Sequence, residues 1–291
     1  MRERRVVGMV LVVLAGIIAM SPGCAGLENA LSGVQKPSAS VKSARLANLS
    51  PDGVDLVFDV DLKNPYGVEL PLAGLDYSLA ARSTTFLTGN APLSGTVPAN
   101  GSRVVQVPAR VAFSDLLNTV SGVRLGQVVP YKADLGLSVN VPSVGGVAAE
   151  PLRVPVSHSG EVPVPNVPGV ELTGVKWGKV SFESASATLS MRLTNTNEFP
   201  INVKKFQYGL GLDGSDVFGG EVSKALSLRP GEAGVVEIPV TASASKALAA
   251  LVGMMRKSDA GYQLRGAAEV GTPFGDVSLP FDRAGSAALT R

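Results

Sequence analysis

Residues 55–66, DLVFDVDLKNPY, return 131 residues later at 186–197 as SATLSMRLTNTN. Leu56, Phe58, Val60 and Leu62 fall on Ala187, Leu189, Met191 and Leu193, while the intervening Asp59 and Asp61 fall on Ser190 and Arg192. Strict alternation of apolar and polar residues marks a strand with one buried face. The offset continues without a gap. Asn64 meets Asn195, Val68 meets Phe199, Leu70 meets Ile201, Leu72 meets Val203, Leu75 meets Phe206 and Tyr77 meets Tyr208. Further on, Val104-Val105-Gln106-Val107-Pro108 meets Val235-Val236-Glu237-Ile238-Pro239, Tyr131 meets Tyr262 and Pro142 meets Pro273. A period this long exceeds that of solenoid repeats and equals a small domain, so the chain reads as two tandem copies of one all-β domain.

Working outward, the first copy reads as strands over 55–62, 67–72, 74–80, 102–111 and 132–141, separated by turn signals at Asn64-Pro65 and Asn100-Gly101. The apolar phase slips between Leu72 and Leu75 and again between Val203 and Phe206, which predicts a bulge at the same place in each copy. Each copy carries one helical signal. Phe113, Leu116, Leu117 and Val120 form one stripe, with Ser114 and Asp115 as cap candidates. The equivalent stripe is Leu248, Leu251, Val252 and Met255, with Ser245 as the cap candidate and Ser243 as the alternative. The boundaries follow: a signal over 1–23, a tether over 24–40, the first domain over 41–160, a proline-rich linker over 161–169, the second domain over 170–285 and a tail over 286–291. The linker prolines predict a semi-rigid extended spacer between two beads, and the Ala/Gly/Ser-rich end predicts fraying.

The N-terminus has Arg2, Arg4 and Arg5, then an apolar run over 6–20 and Ser21-Pro22-Gly23-Cys24, the pattern of an export signal too short for a comfortable membrane span. Cys24 is the one cysteine, which excludes an intramolecular disulfide, and its place after the apolar run resembles the lipidation site of bacterial lipoproteins. The chain is therefore expected in a bacterial cell envelope, anchored through acylated Cys24 and facing the periplasm from the outer membrane. Loss of 1–23 removes Arg2, Arg4, Arg5 and Glu3 and leaves the rest with no net charge. Such a chain lacks the basic footprint that nucleic acid or anionic lipid demands, so the expected membrane partner is reached through the acyl chain alone.

Convergent titratable groups are scarce. The one histidine, His158, sits in Ser157-His158-Ser159-Gly160 beside the linker, without a nucleophile or orienting acid in any recognisable spacing, and reads as solvated. One His and one Cys cannot make a usual zinc set. Asp52, Asp55, Asp59 and Asp61 are close in sequence, but alternation puts the last three on an exposed strand face and not in a loop that could wrap calcium. Gly145-Gly146 and Gly219-Gly220 lack the Lys-Ser and βαβ context of a phosphate loop and read as connections. Trp177 reads as core. No catalytic, cofactor or metal residue is expected.

The strand that runs into Asn64-Pro65-Tyr66 or Asn195-Thr196-Asn197, followed by an apolar strand, a tyrosine-bearing strand and a Val-Val-x-Val-Pro or Ile-Pro strand, resembles the type 2 late embryogenesis abundant domain, also called the water-stress and hypersensitive-response domain. The resemblance covers about 41–160 and 170–283, with Thr196 standing where the pattern has proline. It implies two immunoglobulin- or fibronectin-III-like β-sandwiches, each with one short helix, no enzymatic activity, no cofactor, and a link to desiccation or envelope stress. Asn64, Pro65 and Asn195 carry the family's turn. Two other roles fit the sequence: a carrier of lipid or another hydrophobic ligand beside the second helix, and an assembly or adhesion module whose strand edges pair with an envelope protein.

Overall fold

The computed structural model describes residues 35–141, 150–181, 184–223, 225–243 and 256–290. The signal over 1–23, Cys24, Gly145-Gly146 and the second helix with Ser245, Leu248, Leu251, Val252 and Met255 lie outside them. Pro37 onward forms one compact unit.

The first copy comprises β1 (Ser38–Ala47), β2 (Gly53–Lys63), β3 (Leu70–Ala81), β4 (Thr84–Pro92), β5 (Thr96–Val97), β6 (Ser102–Ala112), the helix α1 (Phe113–Thr119), β7 (Val128–Val139) and β8 (Leu152–Pro163). The second comprises β9 (Gly169–Val180), β10 (Ser184–Thr194), β11 (Ile201–Leu212), β12 (Ser215–Val222), β13 (Leu226–Leu228), β14 (Ala233–Ser243), β15 (Asp259–Thr272) and β16 (Gly275–Thr290). Moved by 131 residues, β2, β3 and β6 coincide end for end with β10, β11 and β14. The anticipated slip is a real irregularity in both: pairing shifts between Leu72 and Gly74 and between Val203 and Lys205. Two strands expected over 67–72 and 74–80 are thus one bulged strand, β3.

Two layers make each copy. In the first, β1-β2-β6 packs against β4-β3-β7-β8, with β5 beside β3. Inner residues such as Leu56, Phe58, Leu62, Leu79, Leu135 and Leu137 are almost wholly buried between them, each worth about 1.5–3 kcal/mol over its exposed state. The second copy has its own cluster around Leu172, Leu189, Met191, Leu210, Leu264 and Trp177, the last lying 6.3 Å from Phe218 between ring centroids. α1 buries Phe113 and Leu116 as expected, but Ala112 is its N-cap and no side chain caps it. Phe113 N–H instead donates to Asp52 O at 2.8 Å, while Ser114 lies on the exposed face beside Asp115.

The copies differ at one seam. In the second, Ala288, Leu289 and Thr290 pair in parallel with Gly174, Val175 and Lys176, joining both layers into a single eight-stranded sheet, β12-β11-β15-β16-β9-β10-β14 with β13 beside β11. In the first, the corresponding residues are Pro163, Val164 and Pro165. The correspondence is fixed by hydrogen bonds: Val164 N–H donates to Gln127 O and Leu289 N–H to Ser258 O, both at 2.9 Å. Main-chain groups alternate sides along a strand, so the donors aimed across the seam belong to residues 288 and 290. Prolines in those places have none to offer, and β1 and β8 stay ends of separate sheets.

Several expectations fail here for related reasons. The linker is no bare spacer: β8 runs to Pro163, and Val162 and Val164 are buried in the first core. The tail is not frayed, because Ala287 and Leu289 point into the second core. The tether ends in β1, which pairs with β2 from Ser38 onward. Gly219 and Gly220 lie within β12 and not in a loop.

Candidate functional site

The family turn is built the same way twice. Asn64 and Asn195 are 3% and 0% exposed, each just past the end of a central strand. Asn64 Nδ2 donates to the carbonyls of Val68 (2.7 Å), Pro98 (3.0 Å) and Val97 (3.2 Å), and its Oδ1 accepts from Tyr66 N–H (2.9 Å). Asn195 Nδ2 donates to Phe199 O (2.9 Å) and Leu228 O (3.2 Å), and its Oδ1 accepts from Asn197 N–H (2.9 Å). The amide is the one short side chain with a donor and an acceptor that can close a turn over two residues and also hold carbonyls of a later strand. These asparagines are therefore buried fasteners, out of a ligand's reach. Pro65 follows in the first copy, where its fixed φ suits the turn.

Thr196 and Asn197, which depart from Pro65 and Tyr66, gain partners in the linker. Thr196 Oγ1 lies 3.3 Å from Val167 O as donor and 3.1 Å from Asn166 Nδ2 as acceptor. Asn197 Oδ1 accepts from Asn166 N–H (2.7 Å) and its Nδ2 donates to Asn166 O (3.1 Å). Beneath the same turn, Glu198 N–H donates to Gly126 O at 2.7 Å. Gly126 has φ +88°, and a Cβ there would stand 2.6 Å from Thr196 O, so only glycine fits. Thr196, Asn197, Asn166 and Gly126 thus clasp the second copy to the first. Sequence reasoning missed this clasp, although the departure at 196–197 was its trace.

The acidic row on β2 is cross-linked to its neighbours. Asp55 accepts from Asn48 (2.7 Å) and Arg110 (3.1 Å), and Asp59 from Ser43 (2.6 Å) and Gln106 (2.9 Å). These bonds, led by Asn48 for Asp55 and by Ser43 for Asp59, hold both carboxyls below the usual range. Asp61, expected on an open face, is 5% exposed, with Lys42 Nζ 3.4 Å from Oδ2 and no hydrogen-bond partner for Oδ1. Among the described residues no group of three or more His, Cys, Asp or Glu is placed to hold a metal ion.

His158 is not a solvated linker residue. It lies within β8, half-buried, with its ring 5.8 Å from Phe58 and 6.4 Å from Tyr131. Burial pushes the Tyr131 hydroxyl up to about 12. His158 therefore packs as one of a group of three rings.

The outer faces of the larger layers contrast. In the first copy Arg153 bonds Asp76 and Lys132 pairs with Asp134. In the second, Gly209, Gly211, Gly220 and Gly261 leave two adjoining shallow hollows of about 550 and 410 Å³, bordered by Gln207, Glu221, Gln263 and Arg265. A tight apolar crevice between its layers, lined by Met191, Leu193, Val203, Phe206, Val222, Val236 and Ile238, encloses about 10 Å³, room for about one water.

The profile of the late embryogenesis abundant protein family matches residues 59–160 and 190–285. "Desiccation-related protein At2g46140" of Arabidopsis thaliana is 29% identical over 137 residues, 47% of this chain and 80% of that protein. "Desiccation protectant protein Lea14 homolog" of Glycine max is 28% identical over 47% of this chain and 87% of its own length. The solution structure of At2g46140.1 aligns with a TM-score of 0.38 at 28% identity, over 48% of this chain and 78% of that one. Two matched segments, each ending a central strand on the same buried asparagine, place this chain in the late embryogenesis abundant protein family with the domain present twice.

Proposed function

We propose that this chain is a non-enzymatic, stress-protective protein of the bacterial cell envelope, held at a membrane by acylated Cys24 and acting by contact and not by turnover. The observation that carries the reading is the doubled domain itself: it spans most of the length of relatives named for desiccation, and its marker asparagines are spent on holding turns shut. The polar clusters it brings together are likewise paired with one another, Asp55 with Arg110 and Asp76 with Arg153. Among the described residues the apolar crevice around Phe206 has no room for an acyl chain and the two larger hollows are shallow and edged by polar side chains, which favours shielding; the groove expected beside Leu248, Leu251 and Met255 lies outside them. Two measurements test it. Lactate dehydrogenase dried with the protein should keep more activity than enzyme dried with an equal mass of serum albumin; equal recovery would refute protection. Cys24→Ser should move the protein from the membrane to the soluble fraction, since acyl chains contribute about 0.8 kcal/mol per buried CH₂; unchanged partitioning would refute the anchor.

A further inference from the structure

Among the described residues the smaller layers β1-β2-β6 and β9-β10-β14 have four comparable outer strands, and their treatment differs. β9 is taken up by the end of β16 in parallel pairing. β1 faces the proline-blocked end of β8. β6 and β14 each pair with one neighbour, β2 and β10, and among the described residues nothing pairs with their other side. Their sequences are the matched runs around Val104-Val105-Gln106-Val107-Pro108 and Val235-Val236-Glu237-Ile238-Pro239.

Proline fixes which main-chain groups face outward. Pro108 stands opposite Val57 and Pro239 opposite Thr188, positions that cannot donate inward, so the inward bonds of β6 fall on the odd residues. Phe113 N–H donating to Asp52 O and Asn64 N–H donating to Gly101 O obey the same parity at the two ends of the ladder. The N–H and C=O groups of Val104 and Gln106, and of Val235 and Glu237, are therefore those turned to the free edge. On the same residues the side chains of Val104 and Val235 are 45% and 56% exposed, two of the most exposed large apolar side chains among the described residues. Proline two residues beyond Gln106 and Glu237 removes the next outward donor, so the open stretch is short.

We infer that the free edges of β6 and β14 are two equivalent binding sites for an extended segment of another polypeptide, captured by strand addition. Only an extended chain presents carbonyls and amides at the spacing of Val104 and Gln106 or of Val235 and Glu237. The exposed valine then sits beside the added strand's outward side chain and favours β-branched or aromatic residues there. The proline stop limits the captured segment to a few residues and prevents the edge from seeding a continuous sheet. The uptake of β16 by β9 shows the same event within the chain.

The test uses the full chain and a soluble nine-residue peptide of alternating valine and threonine with charged ends, followed by calorimetry and amide hydrogen exchange. Two peptides should bind per chain, with new protection at the amides of 104, 106, 235 and 237. Gln106→Pro and Glu237→Pro remove one outward donor each, at positions where the inward ladder loses nothing, and each should weaken its site about tenfold. Gln106→Thr and Glu237→Thr keep the donor and should bind as the parent does. Thermal unfolding by circular dichroism confirms that the variants fold. Equal binding by the proline and threonine variants, protection confined to other strands, or protection of these amides without peptide in a chain that doubles its mass would each overturn the assignment. The drying assay is separate: its failure leaves the strand sites standing, and loss of the sites leaves protection to be judged on its own.

Discussion

The two copies meet the same closing problem with different residues. In the second, Ala288 and Thr290 supply the donors that fuse its layers through β9; in the first, Pro163 and Pro165 stand in those places and the seam stays open. The difference teaches that the linker's prolines serve two ends at once. A stretch that must leave one domain and lead to the next cannot also complete a ladder, and proline ensures that it does not.

The largest effect should come from cutting the closed seam. Deleting residues 286–291 removes Ala287 and Leu289 from the core together with the parallel pairing, and should cost the second copy about 4 kcal/mol or more. Urea unfolding should then split into two steps, with the first copy unmoved; a single unshifted transition would show that the end of β16 contributes nothing. Asn195→Ala should follow at about 3 kcal/mol, because Phe199 O and Leu228 O lose their donor inside the protein. Asn64→Ala should cost a similar amount in the first copy. A cost below about 1 kcal/mol for both would contradict the fastener role.

Converting one seam into the other is a milder change. Ala288→Pro with Thr290→Pro copies the first copy's arrangement and should cost about 1–3 kcal/mol, the loss of two main-chain bonds. Hydrogen exchange should speed up at residues 174–176 and stay unchanged at 43–45. Thr196→Pro restores the first copy's turn but loses the bonds to Val167 and Asn166, at about 1 kcal/mol; the two copies should then unfold more independently in urea.

Acid should separate the copies least. Asp55, Asp59, Asp76 and Asp134 in the first copy, and Asp213 and Glu221 in the second, all ionise more readily folded than unfolded. A carboxyl with a lowered folded pKa contributes its stabilisation above its unfolded value, 3.8 for aspartate, and loses it as pH falls through the folded value. Between about pH 4.5 and 2 the first copy, with four such aspartates, should therefore lose more stability than the second. These groups are largely exposed, so salt should shrink the difference.

What the sequence made legible was whatever repeats or alternates. Leu56 to Leu62 and Ala187 to Leu193 announced their strands, and the shared slip after Leu72 and Val203 announced a bulge. β1, β4 and β8 stayed hidden because edge strands bury one face only in part: in Ser38–Ala47 alanine and serine do the work of larger residues, and Leu152–Pro163 carries prolines that read as linker. The tail misled in the same way, since Ala287 and Leu289 are two apolar residues among small ones. At the turn, Asn64 and Asn195 were legible from position. Their partners Val97 and Leu228 lie 33 residues on and are brought close only by the fold. The clasp was harder still, because Asn166 and Asn197 belong to stretches that composition assigns to a spacer and a loop.

Trp177 is the chain's one tryptophan, and it is 5% exposed in the core of the second copy, against Phe218. Its emission is therefore an address. A red shift in indole fluorescence reports that the second copy has opened and is blind to the first. Tyrosine emission at shorter wavelength comes from both copies, since Tyr131 and Tyr262 occupy matched places in each. Read together during one titration, the two colours would time the opening of two nearly identical domains in a single chain without a label.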